Sequence, residues 1–310
     1  MPSNARIAIL LCTYNGTKFL QEQLDSFTHQ FLNSWQLFVY DDASIDNTCN
    51  LIKQYQKTVQ QTVILQSNPS SKGFAKNFLF AICTTPNDSA DFFALSDQDD
   101  IWQKDKLSMA TDYLEMIPAE VPALYCSRTQ TIDAQEQPLS YSPLFQRTPS
   151  FKNALVQCIA GGNTIVFNKA AKILITQASQ NIDVISHDWW IYLLITAAGG
   201  HVFYDPQPRV LYRQHGNNTI GANNYFSAKI ARLKLLLDNS FKKWIDQNIA
   251  ALNSCRDLLD KEKLKTLDAF IAGRQQSFFK RCFQLNHLRI YRQTFLSNIA
   301  LTISIALNKI

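Results

Sequence analysis

Along the first half of the chain, the apolar pattern switches repeatedly between two periods. Short, β-rich apolar runs occur at Ile7–Cys12, Leu37–Tyr40, Thr62–Gln66, Asp91–Leu95 and Ala123–Cys126. Between them, apolar residues recur three and four positions apart: Phe19, Leu20, Leu24 and Phe27; Leu51, Ile52 and Tyr55; Phe74, Phe78, Leu79 and Ile82; Leu107, Ala110, Tyr113 and Leu114. The first pattern predicts strands and the second amphipathic helices. Strand and helix alternating at this spacing predict βαβ units and a mostly parallel sheet, an α/β class. Asp46 is the expected N-cap of the second helix. Residues 127–150 carry three prolines and little periodicity, which predicts a long loop.

A second segment follows. It reads as a helix near Lys152–Cys158, a turn at Gly161-Gly162, a strand over Asn163–Asn168, helices over Lys169–Ala178 and His187–Ala198, and a short strand at His201–Tyr204. Past Gly221 only helical patterns remain. The expected organisation is a catalytic domain over 1–221, with halves of about 1–126 and 150–221, and a helical region over 222–310.

Composition narrows this picture. The chain has 310 residues, 46% apolar and 18% charged, which excludes global disorder. No apolar run reaches the length of a spanning helix, and the N-terminus lacks the pattern of a signal peptide. The seven cysteines are scattered without zinc spacing and read as reduced packing residues, so the expected location is cytoplasmic. Charge is uneven. Residues 1–224 hold 15 Lys and Arg against 19 Asp and Glu, whereas residues 225–310 hold 15 against 6. Residues 271–310 contain six basic residues and no acidic one. A basic, aromatic tail suits an anionic surface. Nucleic acid is not an expected partner.

The chemistry gathers where strands end. Thr13-Tyr14-Asn15, Asp41-Asp42 and Asp97-Gln98-Asp99-Asp100 each follow a predicted parallel strand, the edge where such sheets place their sites. Three carboxylates within four residues repel one another unless water or a cation screens them, and Mg²⁺ or Mn²⁺ takes oxygen ligands of this kind. A solvated acidic turn is the plainer reading; the second acidic strand end favours a metal–diphosphate site. Asp41 is placed to accept the ring N–H of a uracil or thymine base. Lys72-Gly73 before a helix containing Asn77 suits an anion. No P-loop or GxGxxG spacing is present. His187-Asp188-Trp189-Trp190 opens a helix, so Asp188 is either a helix-dipole partner or a general base between aromatic walls. Arg213 and His215, in the run Tyr212–Asn218, suit phosphate or metal contact.

In this order, the motifs SDQDDIW, HDWW and YRQHGNN resemble the inverting family-2 glycosyltransferases of GT-A fold, and most closely their bacterial rhamnosyltransferase-type branch, over about residues 5–220. The resemblance implies a Rossmann-like sheet, a nucleotide-diphosphate sugar donor and a divalent metal; Asp41 suits a dTDP- or UDP-linked donor, and a saccharide or lipid-linked saccharide acceptor fits the basic tail. The resemblance also implies that Thr13, Tyr14 and Asp41 hold the base and Asp97 the ribose side. Asn15, Lys72, Gly73, Asn77 and Arg213 complete the donor side. Asp99 and His215 become metal ligands and Asp188 the catalytic base. Trp102, Gly162, Trp189 and Trp190 are assigned to the acceptor side. The usual Glu-Asp before the base helix is His-Asp here. A nucleotidyltransferase or a non-catalytic sugar-binding protein remain the alternative classes.

The tail has two readings. On one continuous helix, Arg274, Arg281 and Arg292 fall within about 20° of one another, opposite Phe279, Phe283 and Ile290. That stripe, with the apolar run Phe295–Leu307, would attach the protein peripherally to the anionic inner face of a membrane. The plainer reading is packing against the catalytic body.

Overall fold

The computed structural model describes residues 5–68, 72–180, 182–215 and 239–310, and its nine strands form one sheet. The strands are β1 (Ile7–Thr13), β2 (Trp35–Asp41), β3 (Val63–Ser67), β4 (Phe92–Ser96), β5 (Ile101–Trp102), β6 (Ala123–Ile132), β7 (Pro138–Tyr141), β8 (Val166–Asn168) and β9 (His201–Arg213). Their order is β3-β2-β1-β4-β8-β6-β9-β5, with β7 paired to β6. The first four are parallel; β8 enters antiparallel to both β4 and β6, and β6–β9 is parallel again.

The helices α1 (Leu20–Thr28), α2 (Thr48–Tyr55), α3 (Phe74–Thr84), α4 (Lys106–Leu114), α5 (Phe151–Ala154), α6 (Lys169–Ala178) and α7 (His187–Ala197) cover both faces. β1 is buried throughout, as a central parallel strand must be. Its Ile7, Ile9 and Leu11 pack with Leu20, Leu24 and Phe27 of α1 and with Ile52. Its Ala8, Leu10 and Cys12 pack with Phe78 and Ile82 of α3 and with the α7 core. The strand period of two therefore divides β1 between two hydrophobic layers.

Three expectations are corrected. Residues 127–150 are not one long loop: β6 runs on to Ile132 and turns into the hairpin strand β7. The prolines are compatible because Pro138 opens an exposed edge strand, where a missing N–H costs no ladder bond. The strand at His201 continues through Arg213, because β6 and β9 pair along their whole length across two bulges. Asp46 is not the N-cap; Asn47 is, without a side-chain cap bond. Asp46 instead accepts from Thr48 N (3.0 Å) and Thr17 N (3.2 Å). Although burial pushes the other way, hydrogen bonds from Thr17 and Thr48 lower its pKa to about 2.

The boundary expected at 221/222 lies outside the described residues. Beyond it stand α8 (Ser240–Asn253), α9 (Lys261–Arg274), α10 (Phe278–His287) and α11 (Phe295–Ala306). They do not form a separate core. Phe241, Ile245, Leu267, Phe270, Leu285, Leu301 and Ile305 join the layer that holds α3, α6 and α7. The continuous basic helix is also corrected, because Gln275–Ser277 and Leu288–Thr294 break it. Arg281 is buried and donates to Ile305 O (2.8 Å), Ala306 O (3.0 Å) and Gln276 O (2.9 Å). It closes the carbonyl end of α11 rather than joining a surface stripe. Arg274 pairs with Asp246 at 2.6 Å.

Candidate functional site

Three parallel strands end side by side. In register, Thr13 stands opposite Asp41 and Leu11 opposite Ser96, so the loops after β1, β2 and β4 leave along one edge. Hydrogen bonds join these loops. The Asp41 carboxylate accepts from Thr13 Oγ1 (2.8 Å), Ser44 N (2.8 Å) and Ser44 Oγ (2.5 Å). Gln98 accepts from Tyr14 N (2.8 Å) and donates to Tyr14 O (2.9 Å). Asn15 N donates to Ser44 Oγ and its Oδ1 accepts from Ile45 N. A Cβ on Gly16 would meet Gln98 Oε1 at 2.3 Å, so a side chain there would push Gln98 off its two bonds to Tyr14. Thr13 and Asp41 are consequently buried, while Tyr14 is 53% exposed and free to face a planar ring.

The acidic run is more strongly organised than its sequence indicates. Asp100 is fully buried and accepts from Asn163 Nδ2 (2.5 Å) and Arg213 N (3.0 Å). Burial and then the Asp99 charge push its pKa up to about 7. Asp97 is also held well above the usual carboxylate range by burial, then by the charges of Asp100, Asp99 and Asp188. Lys106 lies beneath them, wholly buried. It donates to Asn163 O (2.8 Å) and sits 3.2 Å from the centre of the Trp102 ring. Burial depresses the lysine, and Asp100 and Asp97 oppose that. Asp99 remains at the surface of the cluster, and its Oδ2 lies 2.8 Å from His215 Nε2. One carboxylate oxygen and one imidazole nitrogen, both partly exposed beside further carboxylates, fit a divalent cation such as Mn²⁺ or Mg²⁺.

Other expected donor-side residues are engaged elsewhere. The amides of Lys72 and Gly73 donate to Asp42 (2.7 and 2.9 Å), so the turn before α3 already holds a carboxylate. Gly73 has φ 79°, a left-handed geometry that favours glycine. The Lys72 ammonium lies 4.9 Å from the Phe80 ring centre. Asn77 is buried and bridges Tyr40 O and Asn68 (both 2.9 Å), tying α3 to the end of β2. Arg213 is 1% exposed; its Nε donates to Asp99 O (3.0 Å) and its guanidinium stacks on Phe19. It positions the acidic loop from below. Gly216, Asn217 and Asn218 lie outside the described residues.

The tryptophan wall is corrected. Trp102 is buried beside Phe27 and Lys106. Trp189 donates to Ala154 O (2.7 Å), and Trp190, with no exposure, donates to Ser179 Oγ (2.9 Å). All three are core residues: the indole N–H groups of Trp189 and Trp190 are satisfied inside the protein, and that of Trp102 is buried without a hydrogen-bond partner.

Asp188 is different. Ten of the eleven residues of α7 are buried, and Asp188 is the one that is not. Its Oδ1 accepts from Trp189 N at 2.7 Å, and its charge reaches Asp97. His187 beside it is buried and stacks on Phe78 at 4.0 Å, and neither ring nitrogen has a hydrogen-bond partner. Burial lowers its pKa to about 4. A Cβ on Gly162 would stand 2.5 Å from His187 Nε2, so Gly162 allows the turn to close on the start of α7. Residue-type reasoning missed the parts played by Gln98, Lys106 and Asn163. No helical spacing signalled the contact of Lys106 with Trp102, because Trp102 ends β5 and Lys106 opens α4 across a short turn.

A hollow between Asp91, Leu114–Glu120, Asn168–Ala170 and Ile173 lies at the opposite end of β4 and shares none of these groups. The strand-end edge is therefore the site with chemistry. The family model for glycosyl transferase family 2 matches residues 8–174, which spans this edge. The chain belongs to glycosyl transferase family 2. This family-2 enzyme is 31% identical over 254 residues to the dTDP-rhamnosyl transferase RfbG of Shigella flexneri, covering 78% of this chain and 84% of that one. Its fold is similar to that of S. aureus TarS 1-349 in complex with UDP-GlcNAc, with TM-score 0.55, 13% identity, and coverage of 92% of this chain and 89% of that one. It is also similar to the mannosyltransferase PcManGT of Pyrobaculum calidifontis in complex with GDP-Man and Mn²⁺, with TM-score 0.53, 17% identity, and coverage of 99% and 87%. The α/β sheet flanked by helices is thus of the GT-A type, and the chain is a glycosyltransferase.

Proposed function

We propose that this glycosyltransferase moves a sugar, with rhamnose the first candidate, from a dTDP- or UDP-linked donor to a hydroxyl of a growing cell-surface polysaccharide or lipid-linked saccharide, inverting the anomeric configuration. The observation that carries the mechanism is the burial of α7: an otherwise enclosed helix presents one carboxylate, Asp188, toward the Asp97–Asp99 edge. There, Asp188 takes the proton of the acceptor hydroxyl while that oxygen attacks the anomeric carbon from the face opposite the leaving diphosphate. The new glycosidic bond forms as the bond to the diphosphate oxygen breaks. One displacement inverts the centre and needs no covalent nucleophile.

Tyr14 supports the nucleoside base, at the rim of a loop fixed by Asp41, Thr13 and Gln98. Asp97 would meet the ribose side. Asp99 and His215 would hold Mg²⁺ or Mn²⁺, which supplies charge neutralisation at the diphosphate. Two protein ligands would leave the remaining positions to diphosphate oxygens and water. Similarity to RfbG supports a dTDP-linked donor. An acceptor on a lipid carrier would be met at the cytoplasmic face of the cell membrane, with the enzyme attached peripherally.

The test is a panel of dTDP-, UDP- and GDP-sugars with Mn²⁺, followed by phosphorus NMR of the products and proton NMR of the new linkage. Release of nucleoside diphosphate with an inverted linkage is expected. Release of inorganic diphosphate would indicate nucleotidyl transfer, and retention of configuration would remove the single-displacement mechanism.

A further inference from the structure

Among the described residues, the C-terminal helices leave an apolar face uncovered. α11 has no charged residue in its twelve positions. Leu301, Ser304 and Ile305 are buried, whereas Phe295, Leu296, Ile299 and Ile303 are 79%, 67%, 43% and 51% exposed. At helical pitch these four lie within about 100° of one another, on the side away from the buried three. α10 packs against α11 and exposes Phe279 (82%) and Phe283 (73%), one turn apart. Lys280, beside Phe279 on α10, and Arg289, two residues past its end, are exposed, and no acidic residue occurs anywhere in residues 271–310.

We infer that the exposed face of α10 and α11 seats in the headgroup–acyl boundary of an anionic bilayer, with Lys280 and Arg289 reaching the lipid phosphates. Three observations select this occupant. An apolar ridge edged by Lys and Arg matches the amphipathic character of anionic lipid interfaces. Twelve helical residues extend about 18 Å, too short to cross a hydrocarbon core of about 30 Å, so the helix lies along the surface. No described helix is long and apolar enough to cross a membrane. A second copy of the chain is the other occupant to weigh. A two-fold contact would set this basic patch against itself with no acid from residues 271–310 to neutralise it. The inference draws on the proposed lipid-linked acceptor only for its purpose; the surface itself is independent of catalysis.

The experiment is co-sedimentation of the full chain with vesicles of phosphatidylcholine, with and without phosphatidylglycerol. Binding should require phosphatidylglycerol and weaken with salt. The variant Phe279→Ser/Phe283→Ser/Phe295→Ser/Ile303→Ser should bind about tenfold or more weakly, with an unchanged melting temperature because these side chains are exposed. Lys280→Glu/Arg289→Glu should lose the preference for anionic lipid. Equal binding by wild type and the serine variant, or no binding by folded full-length protein, would overturn the inference. So would a dimer in light scattering that the serine variant dissolves. Nucleoside diphosphate release measured without vesicles reports on catalysis alone, so failure here is distinguishable from failure of the enzymatic reading.

Discussion

α7 and α11 are both short and almost devoid of charge, and the molecule treats them in opposite ways. α7 buries ten of its eleven residues among the sheet, α3 and α6, and the residue left over is Asp188. α11 buries three of its twelve, and what is left over is a row of Phe, Leu and Ile. Apolar composition thus states that a helix needs cover without saying what provides it. In α7 the chain provides all of it, and the rigid surroundings fix the one polar group where chemistry is done. In α11 the described chain buries only those three, and the remaining face is the one inferred to meet a bilayer.

The contrast can be broken most sharply through stability. Trp190→Ala in α7 should cost about 3–5 kcal/mol, because it empties a fully enclosed site and leaves Ser179 without its indole partner. Phe295→Ala in α11 should stay within about 0.5 kcal/mol. Urea unfolding of both variants checks this, and equal losses would mean that α11 is covered in solution.

Acid should sharpen the same contrast from the α7 side. The ordinary histidine pKa is 6.5, and His187 in the fold is lowered to about 4 by burial. The unfolded chain therefore takes up this proton near pH 6.5 while the folded chain refuses it until about pH 4. Stability from this group is complete above pH 6.5 and declines through the window down to pH 4, by on the order of 3 kcal/mol. His187→Leu should remove that part of the slope in unfolding free energies compared at pH 7 and pH 4.5. An unchanged slope would mean that the imidazole finds a proton partner.

A slightly smaller effect is expected at the metal-binding edge. Asp99→Ala should lower turnover by roughly 10²-fold or more while the melting temperature holds, since Asp99 is on the outside of the cluster. Wild-type turnover retained in excess chelator would contradict the role given to Asp99 and His215.

Much of the frame was legible in the chain because it repeats local patterns. β1 to β4, α1 to α4, α6 and α7 each carry an apolar period that survives without knowledge of partners. What escaped was non-local. The polar stretch after Cys126 becomes strand only because β9, more than seventy residues later, pairs with it. The basic stripe dissolved because Arg281 faces the end of α11, a partner not visible in a helical projection. Within the site, the carboxylate density after β4 and the strand-end placement were readable. The division of labour was not. Asn77, Arg213 and the buried lysine at 106 hold backbone and loops, and a polar residue that ties a loop has the same letter as one that meets a ligand. The tryptophans failed for a related reason: beside a carboxylate they resemble a sugar platform, yet all three are buried among the protein's own side chains.

The most direct test of the central claim is the turnover of Asp188→Asn. The substitution keeps the shape and the amide-accepting oxygen at the start of α7 but cannot take a proton from the acceptor. Nucleoside diphosphate release in the presence of acceptor should fall by roughly 10²-fold or more, with donor-induced thermal shift and melting temperature close to wild type. Turnover near the wild-type level, or a loss matched by an equal loss of donor binding, would contradict a catalytic base at this position and make Asp188 a structural residue of the helix start.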